Sequence, residues 1–204
     1  MRGVDGGEWQ DRIVVGITGA SGVVYGYELV RALADKGKEV HLIISDPGRE
    51  LLSMELGINP GELAQFAERV YGNDEMGSPL SSGSYPFQSM AVVPCSMRTL
   101  AAISAGNSDR LIPRVAEVCL KERRRLVLVP RETPLSLIHL RNMESVTMAG
   151  AVVLPAMPGF YHQPRSLIDL VHHFVGKILD QLQVENDMFK RWSGLPRRPD
   201  SSDS

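Results

Sequence analysis

A glycine-rich turn lies between an apolar run and a helical pattern near the start of the chain. The turn, Gly16–Gly22, reads G-I-T-G-A-S-G, with Arg12–Val15 before it and Val23–Lys36 after it. A turn of this kind between a strand and a helix brings backbone N–H groups close to an anion at the positive end of the helix dipole. It also carries the hydroxyls of Thr18 and Ser21. The pattern predicts a βα unit with a mononucleotide phosphate site.

This turn differs from two other phosphate-binding motifs. The dinucleotide fingerprint needs G-x-G-x-x-G and an acidic residue about 20 residues later. Here the next apolar run, Val40–Ile44, is followed by Ser45, and Asp46 comes one position further on, so NAD is disfavoured but stays open. The chain has no G-x-x-x-x-G-K-[ST] loop, which argues against an ATPase. A structural turn without a ligand also stays open.

Short segments rich in Val and Ile alternate with helical patterns along the chain. Strands that are buried on both faces of a parallel sheet have this composition. The predicted strands are Arg12–Ile17, Glu39–Ser45, Met90–Pro94, Leu126–Pro130 and Ala151–Pro155. The predicted helices are Tyr25–Lys36, Arg49–Gly57, Pro60–Val70, Ser96–Ser104, Ile112–Lys121, His139–Ala149 and Ser166–Leu182. The alternation predicts a single three-layer αβα domain, doubly wound around a parallel sheet, of Rossmann or flavodoxin-like type.

Length and charge are those of one globular domain. The chain has 204 residues, and its 22 basic and 24 acidic residues give a net charge of −2, which favours neither nucleic acid nor a membrane surface as a partner. Two cysteines, Cys95 and Cys119, favour a reducing cytoplasm over a disulfide framework. No apolar run reaches the roughly 20 residues of a membrane span. We expect a soluble cytoplasmic protein.

The ends of the chain and one internal segment are polar. We expect a disordered or weakly ordered extension over residues 1–11, a folded domain over 12–192 and a flexible tail over 193–204. The segment Gly72–Gln88, rich in Ser and Gly, predicts a long loop, and loops of that length are often functional.

A polar or proline-containing turn follows each predicted strand. The turns after parallel strands converge on one edge of the sheet, which predicts a binding site there. Ser96 and Thr99 either cap the helix that follows or bind a ligand. Arg131 and Glu132 lie between two prolines and form either a solvated surface pair or an anion clamp beside a proton carrier.

Cationic residues recur on the helix before the fourth predicted strand. The run Lys121–Arg125 is typical of a solvated helix C-terminus, whereas Arg114, seven residues before Lys121, faces the same way. The five histidines have no metal-ligand spacing, and the chain has no DDxxD cluster for a magnesium-bound diphosphate, so we expect no metal. The absence of a G-x-S-x-G elbow weakens a serine hydrolase interpretation.

Five segments, in order, resemble the UbiX-type flavin prenyltransferases. They are the G-x-T-G-A-S-G-x-x-Y-G segment Gly16–Gly26, Pro94–Leu100, Leu120–Arg124, Val129–Pro134 and Pro158–Pro164. The resemblance extends from about Arg12 to Trp192, nearly the whole chain. Any one segment alone would be weak evidence for the resemblance, whereas five segments in the same order are highly specific for this family.

The resemblance implies an activity, a ligand set and an assembly. A dimethylallyl group would be transferred from dimethylallyl monophosphate to N5 and C6 of reduced FMN, without a metal. The product, prenylated FMN, would serve a UbiD-type decarboxylase in ubiquinone biosynthesis or aromatic acid decarboxylation. The family also forms trimer-based homododecamers with sites at subunit interfaces.

The same resemblance assigns roles to individual residues. The implied FMN contacts are Gly19, Ala20, Ser21, Ser45, Ser96, Met97, Arg98, Thr99 and Arg131. The implied contacts of the dimethylallyl phosphate are Tyr161, Lys177, Lys121 and Arg114. Glu132 and Ser21 look like the groups that move protons near N5, and Glu55 matches a further acidic position of the catalytic site. Trp192 resembles an aromatic lid whose π face could steady an allylic cation.

A few positions depart from the family pattern. Lys177 stands where relatives often carry Arg, and a lysine lacks the bidentate phosphate fork. Arg98 stands where Lys is common, and Asp46-Pro47-Gly48 follow Ser45 where many relatives carry a Lys and small residues. The last difference bears on the local FMN geometry.

Two other functions stay open from the sequence. A flavin-dependent cysteine decarboxylase would share the flavin-binding architecture, but its P-x-M-N-x-x-M-W type of segment has no counterpart in this chain. A non-catalytic FMN carrier would need a single anion site, fewer cations than the resemblance implies.

Overall fold

Six parallel strands form the sheet in the described part of the chain. The computed structural model describes residues 8–194, and its strands are β1 (Arg12–Ile17), β2 (Glu39–Ile44), β3 (Arg69–Gly72), β4 (Ser89–Cys95), β5 (Arg125–Pro130) and β6 (Val152–Val153). Their order in the sheet is β3-β2-β1-β4-β5-β6, and all neighbouring pairs are parallel. The predicted doubly wound α/β fold is therefore confirmed, with one more strand than the sequence pattern indicated.

Helices cover both faces of the sheet. They are α1 (Val23–Asp35), α2 (Asp46–Leu56), α3 (Met97–Ala105), α4 (Leu111–Lys121), α5 (Leu137–Met148) and α6 (Leu167–Gln181). Successive strand residues point to opposite faces. In β1, Ile13 and Val15 belong to the core cluster that includes residues of α1, α2 and α6, whereas Val14 belongs to the cluster that includes residues of α3, α4 and α5. Because both faces of the sheet centre are buried, β1, β4 and β5 are mainly apolar segments.

The largest difference from the sequence prediction lies between β2 and β4. The predicted helix Pro60–Val70 is wrong: a 3₁₀ helix over Pro60–Phe66 is followed by β3. Asn59 and Glu62 form a capping box, which is a genuine helix-start signal, but the backbone becomes extended at Ala67. β3 lies at the edge of the sheet and is mostly not buried, so it lacks the apolar run by which the other strands were predicted.

Other element boundaries shift by a few residues. Helix α2 begins at Asp46 because the hydroxyl of Ser45 accepts a hydrogen bond from the N–H of Gly48 at 3.2 Å. The predicted strand Ala151–Pro155 shortens to β6 at the other edge of the sheet. The predicted loop Gly72–Gln88 contains one short 3₁₀ helix, Pro79–Ser81.

The chain ends are described only in part. Residues 1–7 and 195–204, on which most of the predicted extension and tail fall, lie outside the described residues, and Glu8–Asp11 form a 3₁₀ helix. The domain boundaries at residues 12 and 192 stay predictions. Within residues 8–194, no helix has the length and apolar character that crossing a membrane requires.

The two cysteines are free and fully buried. Burial raises the pKa of Cys95 to about 12 and that of Cys119 to about 12. Since the thiolate is the nucleophilic form, neither thiol is poised for covalent chemistry near neutral pH.

The strand order places a topological switch point at the centre of the sheet. β1 and β4 are neighbours, and the chain continues from β1 towards one edge and from β4 towards the other. In open α/β sheets, ligands bind in the crevice outside the carboxyl ends of the strands at such a point.

Candidate functional site

A cavity of about 280 Å³ opens at the β1–β4 switch point. Its walls are the turns after β1, β2 and β4, the residues that follow β3, and the approach to α4. Five of the predicted FMN contacts lie in its lining: Gly19, Ser45, Ser96, Arg98 and Thr99. The lining does not include the other four, which are Ala20, Ser21, Met97 and Arg131.

Thr18 joins the carboxyl ends of β1 and β4 at the cavity wall. Its Oγ1 donates a hydrogen bond to the carbonyl of Pro94 at 2.7 Å and accepts one from the N–H of Ser96 at 2.8 Å. The side chain is buried. The sequence pattern suggested that this hydroxyl would donate a hydrogen bond to a phosphate. In the structure it holds together the two ligand-facing turns that follow β1 and β4.

The hydroxyls of Ser45, Ser96 and Thr99 lie at the N-termini of the helices that border the cavity. Ser96 caps α3: its Oγ accepts from the N–H of Thr99 at 3.3 Å and donates to Thr99 Oγ1 at 3.1 Å. Ser45 caps α2 in the same way. The two alternatives that the sequence left open, capping and ligand binding, are compatible, because the capped termini of α2 and α3 face the same cavity.

Gly19 allows the turn after β1 to approach the start of α2. A Cβ at this position would overlap the Cβ of Pro47. Since Gly19 and Pro47 both line the cavity, this close approach defines the shape of one wall.

Glu55 occupies the N-terminus of α1. Its carboxylate accepts hydrogen bonds from the N–H groups of Gly22 at 2.9 Å and Val23 at 3.2 Å. Gly22, the residue before the helix, provides no side-chain cap of its own. The anion that the glycine-rich turn was predicted to attract is therefore a side chain of this protein, and the N-termini of α2 and α3 are left for an external phosphate.

Several charged residues of the cavity were not recognised from the sequence. They are Asp74, Asp109 and Arg110, and they line it together with Arg98 and Asp46. Asp74 follows β3, the strand whose pattern was missed, and Asp109 and Arg110 lie just before α4. Only a correct prediction of β3 could have placed Asp74 at this edge of the sheet.

Arg131 and Glu132 follow β5 as exposed residues outside the cavity lining. Glu132 Oε1 accepts a hydrogen bond from the N–H of Thr133 at 3.0 Å. The pair is therefore accessible at the same edge of the sheet, and its proton-transfer role stays a prediction.

Tyr161 and Trp192 lie in an aromatic cluster around α6. The rings of Tyr161 and Trp192 meet edge to face with centroids 5.8 Å apart. His173 of α6 lies 3.2 Å through Nε2 from the hydroxyl of Tyr161 and stacks on His162 with centroids 4.5 Å apart. The two aromatic residues predicted for the donor are thus brought together, and the histidines beside them were missed because they have no motif spacing.

Lys177 shares this region with two charged residues. Its Nζ is 3.8 Å from Asp180 Oδ2, whereas Arg191 donates to both oxygens of Asp180 at 2.7 and 3.0 Å. The hydrogen bonds from Arg191 hold the pKa of Asp180 below its usual range, and one from Asn186 acts in the same direction. Because Arg191 is the closer partner of Asp180, the ammonium of Lys177 is held only loosely.

Arg114 and Lys121 lie along α4, away from the cavity lining. Arg114 donates to the carbonyl of Ser81 at 3.0 Å and to Glu117 at 2.9 Å, and Lys121 pairs with Glu122. Helix α4 begins beside the cavity at Leu111, and its last residue, Lys121, lies about 15 Å from that end along the helix axis. In the described part of the chain, neither cation forms a hydrogen bond or ion pair with Tyr161 or Lys177, the residues with which they were predicted to act.

The fold and the cavity together define a nucleotide-binding type of doubly wound α/β domain. The model of the Flavoprotein family matches residues 6–177. The chain is 48% identical over 182 residues to the flavin prenyltransferase UbiX of Methanothermobacter thermautotrophicus, over 89% of this chain and 95% of the relative. The chain therefore belongs to the Flavoprotein family and, within it, to the UbiX flavin prenyltransferases.

Solved structures agree with this assignment. A crystal structure of AnUbiX (PadA1) in complex with FMN and dimethylallyl pyrophosphate has a TM-score of 0.90 and 46% identity, covering 92% of this chain and 100% of that one. A dodecameric FMN-dependent UbiX-like decarboxylase from Escherichia coli O157:H7 has a TM-score of 0.88 and 41% identity, covering 90% and 100%. The FMN-dependent cysteine decarboxylase TvaF, at 15% identity and a TM-score of 0.59 over 81% of this chain and 98% of that one, shares the fold alone.

Proposed function

We propose that this protein is a flavin prenyltransferase that transfers the dimethylallyl group of dimethylallyl monophosphate to reduced FMN and forms prenylated FMN. The observation that carries the proposal is the hydroxyl-lined cavity at the β1–β4 switch point, in a chain 46% identical to a protein crystallised with FMN and dimethylallyl pyrophosphate. We further propose that the product passes to a UbiD-type decarboxylase in the cytoplasm.

The residues of the cavity fit FMN. The N-termini of α2 and α3, capped by Ser45 and Ser96, direct backbone N–H groups and hydroxyls towards one region, where a phosphate is favoured. The guanidinium of Arg98 adds a charge-assisted donor. Asp46 and Asp74 are suited to accept hydrogen bonds from the ribityl hydroxyls.

Part of the site is supplied by a second protomer. The cavity, at about 280 Å³, is small beside the roughly 300–1,000 Å³ of most ligand pockets. A homo-oligomer, as in the dodecameric relative, would complete it and bring Arg114 and Lys121 to the donor phosphate. Helix α5 offers a surface suited to such an assembly, since Leu137 is 60% exposed and Ile138 is 69% exposed.

Different residues of this chain then serve different parts of the reaction. Reduced FMN supplies the nucleophilic N5 and C6 to which the dimethylallyl group is joined. Lys177, with Arg114 and Lys121 of a neighbouring protomer, stabilises the departing phosphate, which needs no metal for charge compensation. Trp192 presents its π face to the positive charge that develops on the allyl group.

Proton transfer near N5 falls to Glu132 and Ser21. Glu132 is accessible at the carboxyl edge of the sheet, and a carboxylate there can take up and return a proton. Glu55 holds the two N–H groups that directly follow Ser21, and we therefore assign it the task of fixing the position of Ser21.

The test is an anaerobic reaction of the purified protein with reduced FMN and dimethylallyl monophosphate, followed by mass spectrometry of the extracted flavin. We expect the flavin to gain one C5H8 unit. In Glu132→Gln, FMN should bind as before, and turnover should fall by about a hundredfold or more. Unmodified FMN with either the mono- or the diphosphate donor would contradict the proposal, and a cysteine-bearing substrate would then be tried.

A second variant separates donor binding from folding. Lys177→Ala should raise the KM for dimethylallyl monophosphate while leaving the Kd of FMN unchanged, because its ammonium lies outside the FMN cavity lining. Lys190→Ala, an exposed lysine nearby in the sequence, is the matched control and should change neither quantity. Equal losses in donor and FMN affinity would indicate a folding defect instead.

A further inference from the structure

The hydroxyl of Tyr161 has a buried histidine behind it. Nε2 of His173 lies 3.2 Å from the tyrosine oxygen, and the rings meet edge to face with centroids 5.4 Å apart. His173 is 5% exposed, whereas Tyr161 is 45% exposed. One side of the phenol is thus bound to the protein interior, and the other is accessible to a ligand.

The second nitrogen of His173 decides which ring atom carries the proton. The backbone N–H of Gly159 points at Nδ1, with a nitrogen-to-nitrogen distance of 3.4 Å. An atom that accepts a hydrogen bond from an N–H cannot itself be protonated, so the neutral ring carries its proton on Nε2. Nε2–H then donates to the oxygen of Tyr161, and the phenolic proton is left free to point away from His173.

The plane of the His173 ring is fixed on both sides. His162 stacks on it with an interplanar angle of 3°, and Phe189 packs against it at 69° with centroids 4.8 Å apart. A Cβ on Gly159 would lie 3.3 Å from His173 Cε1, so the backbone also packs closely against the ring edge. The imidazole therefore has little freedom to flip and exchange its two nitrogens.

We propose that His173 is a positioning residue that binds the oxygen of Tyr161 and so directs the phenolic hydrogen outward, as a donor to a phosphate oxygen of the dimethylallyl substrate. This rests on the proposed function, since it names what orients a predicted substrate contact. His173 neither takes nor gives a proton in the reaction. Its role is to prevent Tyr161 from donating its hydroxyl hydrogen to a group in the protein interior.

The neutral form that this role needs is favoured by the surroundings. Burial lowers the pKa of His173, and the nearby His162 and Lys177 lower it further. A doubly protonated ring would lose the acceptor that Gly159 uses, and it would place a second positive charge beside Lys177.

The first test measures the tautomer without substrate or turnover. In the intact protein labelled with ¹⁵N-histidine, the His173 signal, assigned by its loss in His173→Gln, should show a bare Nδ1 and a protonated Nε2 at neutral pH. A proton on Nδ1, or on both nitrogens, would overturn the proposal. This readout is independent of whether the protein is a prenyltransferase.

The second test uses matched substitutions. His173→Leu should raise the KM for dimethylallyl monophosphate about tenfold with the Kd of FMN unchanged, whereas His173→Gln, whose amide can still donate near the Nε2 position, should stay within about threefold of the wild type. Tyr161→Phe should mask the effect, so that the double variant with His173→Leu is no worse than Tyr161→Phe alone. Additive losses, or an unchanged His173→Leu enzyme, would refute the role of His173. A wild-type protein that makes no prenylated flavin would instead refute the proposed function, and the tautomer would still be decided by the labelled histidine.

Discussion

The hydroxyl of Thr18 accepts a hydrogen bond from the backbone N–H of Ser96 at 2.8 Å while donating to the carbonyl of Pro94 at 2.7 Å. This one side chain ties the turn after β1 to the residue that caps α3. The positions of the FMN-facing turns therefore depend on a pair of hydrogen bonds within the protein.

Removing this hydroxyl should weaken both the fold and the cofactor site. Thr18→Val leaves the partly buried N–H of Ser96 without its partner, which costs about 1–3 kcal/mol in the free energy of unfolding. The Kd of FMN should rise as well, because the start of α3 is no longer fixed against β1. Urea denaturation and FMN fluorescence titration measure the two effects.

The control for this prediction keeps the hydroxyl. Thr18→Ser retains the donor and acceptor and loses one methyl group, at about 0.8 kcal/mol. If Thr18→Val bound FMN as well as Thr18→Ser does, the contact would be structural only.

Gly19 should tolerate no side chain. In Gly19→Ala the new Cβ overlaps Pro47, so the turn after β1 and the start of α2 must move apart. Overpacking of this kind costs about 1–3 kcal/mol, and the displaced cavity wall should reduce FMN affinity by more than tenfold. Gly77→Ala is the matched control, since a Cβ there meets nothing within 4 Å. Equal FMN affinity in both variants, measured by fluorescence quenching, would show that the close approach is not needed.

The sequence predicted the centre of this molecule better than its edges. β1, β2, β4 and β5 are mainly apolar because two layers of helices bury them, and such segments are visible in the sequence. β3 was missed because an edge strand that pairs on one side needs no such run.

The candidate site could be predicted only where chain order determines position. Ser45 and Ser96 directly follow strands of the sheet, so their convergence on one edge could be inferred, and the cavity confirms it. Asp109 was missed although α4 was predicted to begin at Ile112, one residue from its start at Leu111, because Asp109 lies in the loop before this helix and follows no strand. The predicted joint action of Lys121 with Tyr161 stays a prediction, because one protomer does not show the subunit interface at which we propose that they meet.

The pairing of Asp180 with Arg191 should make the C-terminal segment sensitive to acid. The pKa of Asp180 is lowered in the folded protein, chiefly by the hydrogen bonds from Arg191. The stabilisation is therefore complete above the unfolded-state pKa, near about 4, and is lost as the pH falls through the lower folded-state value. Trp192 fluorescence should change over this range in the wild type, and the change should be absent in Asp180→Asn. An identical transition in both proteins would assign it to other carboxyl groups.

Arg191 should also keep Lys177 available to the donor phosphate. Asp180 is bound through both oxygens by Arg191, at 2.7 and 3.0 Å, and Lys177 remains 3.8 Å away. In Arg191→Ala the carboxylate loses its closer partner and should attract the ammonium of Lys177, so the KM for dimethylallyl monophosphate should rise about five- to tenfold while the Kd of FMN stays constant.

The double variant Arg191→Ala with Asp180→Asn makes this prediction specific. Removing the carboxylate also removes the competitor for Lys177, so the KM should return to within about twofold of the wild-type value. A mere loosening of the segment that carries Trp192 would predict the opposite result, since the second substitution would loosen it further. A double variant with a KM higher than that of Arg191→Ala alone would therefore reject competition for Lys177 and leave the anchoring of the segment as the role of Arg191.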